Sequence, residues 1–476
     1  MSFSRNTLKP LLVLSVFCAL QTGSSAFREA AASQGAWDIR IDTASIERIL
    51  LDPETILKDP DAFWRSDPAY RLADNWHRNT GISKSTKDYD QQWLRFLQEQ
   101  AAVLPGERKN HPAFHLLEIL KSKTEAFYAA AMPHIRRFLP DNGLAFRANA
   151  FLTAKTLPFA FMTNGNIVID VLSPKFHQDA DQIFNILTHE TFHIGYGYNR
   201  YLRRELALED DFIYNTLLDS LQNEGMAVYM AFQAQSFFPA KNESDYQLLE
   251  NAGEVRKRIE AVNRIFESAE RKTVGEEALR KEAWELGVNQ RGYYIAGAEM
   301  ARVIDEKLGR DVLVQTVSEG PLSFIDRYNE VAESRLAVHR FNRAAGSAPV
   351  SRLLQEMKIA ILDRDESRFD ALVRNLGQSA DLSDPTIPLR LNDFGYGQLY
   401  VQRRDWAIKV FTAAAGLFPN SANAWDSLAE ACLKTGDLDR AEQYCHKAVQ
   451  LDPGIENSRK MLDQIKRLRT EKKTPY

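Results

Sequence analysis

Cysteine is scarce, with three residues in a chain of 476. That is too few for a disulfide framework, so the small disulfide-stapled classes are excluded. An excess of positive charge is missing too. Sixty Lys and Arg stand against 64 Asp and Glu, a formal net charge of −4. Binding to nucleic acid or to an anionic membrane calls for a basic excess, and this balance gives none. Long apolar runs are absent as well. Leu11 to Leu20 is about half the roughly 20 residues that a spanning helix needs.

What is present is an ordinary globular composition, 44% hydrophobic and 26% charged. Disordered, collagen-like and low-complexity classes are thereby excluded. At roughly 150 residues per domain, the length predicts two to four domains. The first segment is a leader. Arg5 and Lys9 precede the apolar run, and Ser24-Ser25-Ala26 follows it. A basic start, a short apolar centre and a small-x-Ala end predict a secretory signal peptide over residues 1–26, cut after Ala26. Phe17 is too bulky to precede a lipid-modified Cys18. The expectation is an exported protein, periplasmic or secreted, with no membrane span in the mature chain.

Residues 27–140 read as a helical N-terminal region. Ser45 to Leu51 and His115 to Phe138 carry apolar residues at i, i+3 and i+4, and Pro53, Pro60 and Pro68 interrupt the first part. His77, His111, His115 and His134 are scattered and read as structural. From residue 141 the pattern changes. Leu144 to Phe151 alternates in part, Ile167 to Leu172 is β-branched and apolar, and Asn164-Gly165-Asn166 lies between them. This predicts a small sheet with a hairpin. Helices are expected from Asp179, over Phe212 to Phe232, over Asp245 to Lys272, and over Tyr293 to Leu308, where Gly309 stops the last. Lys- and Glu-rich residues 270–285 read as a solvated helix. Residues 141–345 are taken as one domain, with Ala345 to Pro349 as a linker.

The C-terminal part, residues 350–470, contains a repeat. Ala407, Phe411, Ala414 and Pro419 recur 34 positions later as Ala441, Cys445, Ala448 and Pro453. Small residues at helix contacts and a closing proline at this period are the tetratricopeptide pattern. Two repeats alone are marginal, so Ser351 to Leu376 and Ser458 to Leu468 are expected to supply flanking helices. Such a module offers a surface for a protein partner. Cys432 and Cys445 fall on its facing helices, either as buried thiols or as a pair.

His189-Glu190-Thr191-Phe192-His193 carries the chemistry. On a helix, i and i+4 share a face, so both imidazoles can reach one zinc ion. Glu190 between them is placed to take a proton from water held there. A catalytic zinc needs a third ligand. Glu224, in Leu221-Gln222-Asn223-Glu224-Gly225-Met226-Ala227, is the best candidate, because Gly225 and Ala227 would let its helix approach the first closely. Glu205 and Glu209 sit in the charged run 203–211, which reads as a solvated face. The metzincin pattern fails, with Tyr196 and Asn199 where it needs Gly and His.

These residues resemble the glutamate-ligand zincins of the thermolysin-like metallopeptidase clan. More closely, residues 140–345 resemble a bacterial family of zinc-dependent peptidases. The resemblance implies a zincin-like α+β domain in a predominantly α chain with a small mixed sheet. It also implies one zinc held by His189, His193 and Glu224, with Glu190 as general base and acid. The strand Asn166 to Val171 would form a cleft wall. Val228 stands where related enzymes often carry an Asp that orients a ligand histidine. For the oxyanion donor, Tyr294 in Arg291-Gly292-Tyr293-Tyr294 is the choice, ahead of His339. The expected activity is peptide-bond hydrolysis on a peptide or protein substrate. The alternative is an exported tetratricopeptide scaffold with an inactive or structural zinc site.

Overall fold

Proline starts helices here rather than merely ending them. A computed structural model describes residues 37–80, 86–142, 145–156, 159–163, 165–204, 213–341, 349–379, 382–384 and 386–471. The expected leader with Cys18, Asn164 of the turn, Glu205 and Glu209 of the charged run, and residues 345–348 of the linker lie outside them. After α1 (Ala44–Leu51), the prolines that interrupt the sequence pattern each open a helix: α2 (Pro53–Lys58), α3 (Pro60–Ser66) and α4 (Pro68–Thr80). A first-turn proline loses no helical hydrogen bond, and its φ is already helical. Then come α5 (Thr86–Ala101) and α6 (Pro112–Ala126), which runs through a π-helical turn at Phe127–Ala131 into α7 (Met132–Arg136).

Four strands form one mixed sheet in the order β1-β2-β4-β3, from β1 (Trp37–Asp42), β2 (Phe146–Thr153), β3 (Ala160–Thr163) and β4 (Asn166–Asp170). β1 departs from the helical reading of residues 27–140: its strict apolar–polar alternation makes a strand, parallel to β2 with Ile39 opposite Ala148. β2 runs parallel to β4 with Leu152 opposite Ile169. β3 and β4 form the expected hairpin, closed by the pair Thr163–Asn166 beside Gly165 at φ +68°. That left-handed backbone is one glycine adopts freely. Ile167, Val168, Ile169 and Asp170 are all buried, as a strand covered on both faces must be. Ala73 of α4 packs on Phe161 and Val168. The expected cleft-wall strand, β4, is therefore paired on both sides, and the edge beside it is β3.

α8 (Ala180–Leu202) follows and is buried along most of its length. α9 (Asp219–Gln233) succeeds a π-helical turn, Ile213–Leu218. The single helix expected over Asp245 to Lys272 is two, α10 (Ser244–Leu249) and α11 (Ala252–Arg271). Asn251 breaks it, because its side chain accepts from the backbone N–H of Gly253 and Glu254 and so caps the second helix. α12 (Glu276–Trp284), α13 (Gly292–Leu308), α14 (Arg310–Glu319) and α15 (Pro321–Val331) complete this part.

The chain divides into two units. The sheet-bearing unit holds described residues 37–197 and 213–341, and the other holds 198–204 and 349–471. In the second unit α16 (Pro349–Asp363) and α17 (Glu366–Ser379) precede α18 (Thr386–Tyr400), α19 (Arg404–Leu417), α20 (Ala422–Thr435), α21 (Leu438–Leu451) and α22 (Glu456–Glu471). The bounds of α19 recur 34 residues later as those of α21. A side chain at Gly395 would meet the Phe411 ring at 2.4 Å. One repeat later the same two positions hold Ala429 and Cys445. The small residue grows as the large one shrinks, so the contact stays filled. Cys445 is thus a packing residue, and both it and Cys432 are buried and unpaired. No helix among the described residues is long and apolar enough to cross a membrane.

Candidate metal centre

α8 and α9 are stitched together by polar side chains. Asn185 donates to the carbonyls of Ala231 (2.9 Å) and Phe238 (3.1 Å). The Tyr196 hydroxyl lies 2.9 Å from both Asp219 Oδ1 and Gln222 Oε1. Residue numbers rise along one helix as they fall along the other, so the two run antiparallel. That brings the middle of α9 level with the His189–His193 turn.

There His189 Nε2 and His193 Nε2 lie 3.0 Å apart. Glu224 Oε2 is 3.6 Å from the first and 3.3 Å from the second. Ligand atoms of a tetrahedral zinc with bonds of about 2.0–2.1 Å are roughly 3.3 Å apart. The three observed separations bracket that value. Two imidazole nitrogens and one carboxylate oxygen are also the donor set of a catalytic zinc site. The residues present therefore fit the ion.

The second histidine is oriented from behind. Asn223 Oδ1 lies 2.9 Å from His193 Nδ1. An amide oxygen only accepts, so Nδ1 carries a proton and Nε2 is the ring nitrogen turned into the cluster. Asn223 thus does the work expected of an Asp at position 228, where Val228 is buried. The signal was adjacent to Glu224 in the sequence, but an Asn in that place has no standard reading.

Charge in the cluster is strongly coupled. Burial works against ionisation of Glu224, yet the His193 charge and hydrogen bonds from both imidazoles hold its carboxyl well below the usual range. Burial also disfavours a charge on His193, but the Glu224 carboxylate outweighs it and pushes the imidazole up to about 9. A dry pocket that keeps Glu224 negative is one that attracts a cation. Glu190 stands beside the three without joining them. Burial raises its pKa, and the charges of His193 and His189 pull the other way.

α13 contributes from a third side. Its close partner is α9, through Gly225. A methyl placed on Gly225 would lie 2.3 Å from Cα and carbonyl carbon of Gly297. The expected role of Gly225 is corrected accordingly: it admits α13, whose Gly297 faces it. This crossing sets Tyr294 near Glu224, whose charge raises the phenol pKa after burial does. Tyr293 instead points into the core, its hydroxyl buried. His339, the other donor considered, bonds Glu270 at 2.8 Å. His134 bonds the Met230 carbonyl at 2.9 Å, a structural role as expected.

Two ion pairs flank the cluster, and sequence spacing gave no sign of either. Lys175 Nζ lies 3.2 Å from Glu243 Oε1, and Arg291 is held by Asp245. Both acids belong to one short stretch at the start of α10.

Residues 113–336 match the family described as "Putative zinc dependent peptidase". The match runs from α6 to just beyond α15 and contains His189, Glu190, His193, Glu224 and Tyr294. It bears out the resemblance to zinc-dependent peptidases. Residues 422–455, spanning α20 and α21, match a tetratricopeptide repeat, which bears out the 34-residue period. No curated protein and no solved structure matches the chain.

Proposed function

We propose that the protein is an exported zinc peptidase that hydrolyses peptide bonds at the His189–His193–Glu224 centre. What carries the reading is the convergence of those three ligand atoms within 4.8 Å, with a second acid, the buried Glu190, left over beside them. A structural zinc site has no use for that second acid. Bound zinc supplies Lewis-acid polarisation of the scissile carbonyl and makes water nucleophilic at neutral pH.

The chain's own residues do the rest. Asn223 fixes His193 so that its Nε2 remains a ligand. Glu190 accepts a proton on a carboxylate oxygen as the water oxygen bonds to the carbonyl carbon. Tyr294 donates its hydroxyl to the oxygen on which negative charge develops. Glu190 then returns its proton to the amine nitrogen as the C–N bond breaks. Export rests on the leader pattern of residues 1–26, and the tetratricopeptide module is assigned a protein partner.

Purified full-length protein should hold about one zinc per chain, and His189→Ala should lose it. Glu190→Gln should retain zinc and abolish cleavage of a peptide library. A Glu190→Gln protein that cleaves as wild type would sink the mechanism. N-terminal sequencing of the exported protein should begin at Phe27.

A further inference from the structure

Arg291 adopts a backbone conformation that long side chains rarely take. It precedes α13 at φ 55° and ψ 31°, in the left-handed region. Such strain persists only where the surroundings hold it, and two anchors do. Arg258 Nε donates to the Gln290 carbonyl at 2.8 Å, fixing the residue before. Asp245 grips the guanidinium with both oxygens, 2.9 and 3.2 Å from Nε and 2.6 Å from Nη2. The Asp245 side chain is 5% exposed, so the grip is dry and firm.

The held guanidinium then lies over the Tyr294 ring, its central carbon 3.2 Å from the ring centroid. Tyr294, on the first turn of α13, lies within electrostatic reach of Glu224. Asp245 thus holds Arg291 and Arg291 lies on Tyr294, while the charges of Asp245 and Arg291 also reach His189 and Glu224. We propose that Asp245 and Arg291 are positioning residues, a clamp that fixes the Tyr294 ring so that its hydroxyl addresses the His189–His193–Glu224 centre. The proposal rests on the hydrolytic reading of that centre. An ion pair that merely tied α10 to α13 would need neither the left-handed backbone nor the stacking on Tyr294. The adjacent Tyr293 has no such partner and is simply packed in the core. Arginine is required, because lysine can neither stack as a plane nor offer a carboxylate two separate nitrogens in a fixed fork.

The test uses the full chain with Arg291→Lys, Asp245→Asn, Tyr294→Phe and the double variant Arg291→Lys/Tyr294→Phe. Tyr294→Phe should lower kcat roughly 100-fold, and Arg291→Lys roughly 10–100-fold. KM and zinc content should hold in both. Arg291→Lys keeps the positive charge that reaches Glu224, so what it removes acts through Tyr294, and the double variant should fall no further than Tyr294→Phe alone. Losses that multiply, or wild-type kcat in Arg291→Lys, would overturn the clamp.

A second readout needs no catalysis. 3-Fluorotyrosine placed at position 294 in the metal-free chain should give one sharp fluorine resonance. Arg291→Lys and Asp245→Asn should shift and broaden it. An unchanged resonance overturns the clamp. A resonance that responds supports it even if wild type cleaves no peptide, an outcome that would count against the hydrolytic reading alone.

Discussion

Gly225→Ala tests the architecture that brings three helices to one site. The added methyl would stand 2.3 Å from Gly297 Cα and carbonyl carbon and 2.8 Å from the Ala298 nitrogen. Carbon contacts settle at about 3.5–4.0 Å, so α9 and α13 must part by roughly 1 Å. All three obstructing atoms are backbone, so no side-chain rotation relieves them. Overpacking costs about 1–3 kcal/mol, and atoms this rigid place the cost near 3. Alanine returns about 1 kcal/mol of helix propensity over glycine. The net loss is about 2 kcal/mol. Urea unfolding of the metal-free protein reads it as a lower midpoint with an unchanged slope. The internal control is Gly416→Ala in α19, where nothing lies within 4 Å. It should gain about 0.5–1 kcal/mol from propensity alone. Parting α9 from α13 also parts Glu224 from Tyr294, and a 1 Å error there costs on the order of 100-fold in rate. A Gly225→Ala protein as stable as Gly416→Ala would refute the close crossing, and with it the placement of Tyr294.

Two further changes probe single groups. Asn223→Ala frees the His193 ring to rotate and should weaken zinc binding roughly 10–100-fold, measured by competition against a chromophoric chelator; unchanged affinity would remove Asn223 from the site. Asp170 reports on the sheet. Burial pushes its carboxyl up to about 6, against hydrogen bonds from the Lys155 and Leu172 backbone and the Lys155 charge. Its folded pKa is thus raised above the unfolded value, so the folded state binds the extra proton between about pH 4 and 6. The stability this group contributes is present below pH 4 and is lost as pH rises to about 6. Asp170→Asn should flatten that part of the pH–stability curve and gain stability at pH 8, seen as a higher thermal midpoint; an identical curve would mean the carboxyl is not dry.

How far the sequence could be read depended on how local each signal is. His189, Glu190 and His193 lie within one helical turn and a half, so spacing alone put both imidazoles on one face. Glu224 needed only a second helix with small neighbours. The 34-residue period is likewise a local pattern repeated, and it survives substitution at single positions. The exchange of Gly395 and Phe411 for Ala429 and Cys445 shows why: what recurs is the filled contact rather than the residue. Partial alternation marked β2 and a β-branched apolar run marked β4, whereas β1, the strictly alternating Trp37 to Asp42, carries a strand signal inside a region read as helical.

The parts that stayed hidden are those made by sequence-distant pairs. Asp245 and Arg291 are 46 residues apart, and nothing in either stretch marks one for the other. Gly225 carried a correct signal, close approach, but a glycine does not say to what; its partner was Gly297 on α13, a helix later in the chain than either metal-ligand helix. Asn223 stayed hidden for a different reason. A family habit puts the orienting acid one turn after the ligand Glu, and Val228 seemed to leave that role unfilled. The physical requirement is only an acceptor at the far nitrogen of His193, and the antiparallel run of α8 and α9 lets the residue beside Glu224 supply it. The site is thus assembled by one local motif, the packing of α8 on α9 that adds Glu224, and the crossing of α9 by α13 that adds Tyr294. The motif is visible in the order of residues. The crossing is visible only as two glycines whose missing side chains leave room for each other's backbone.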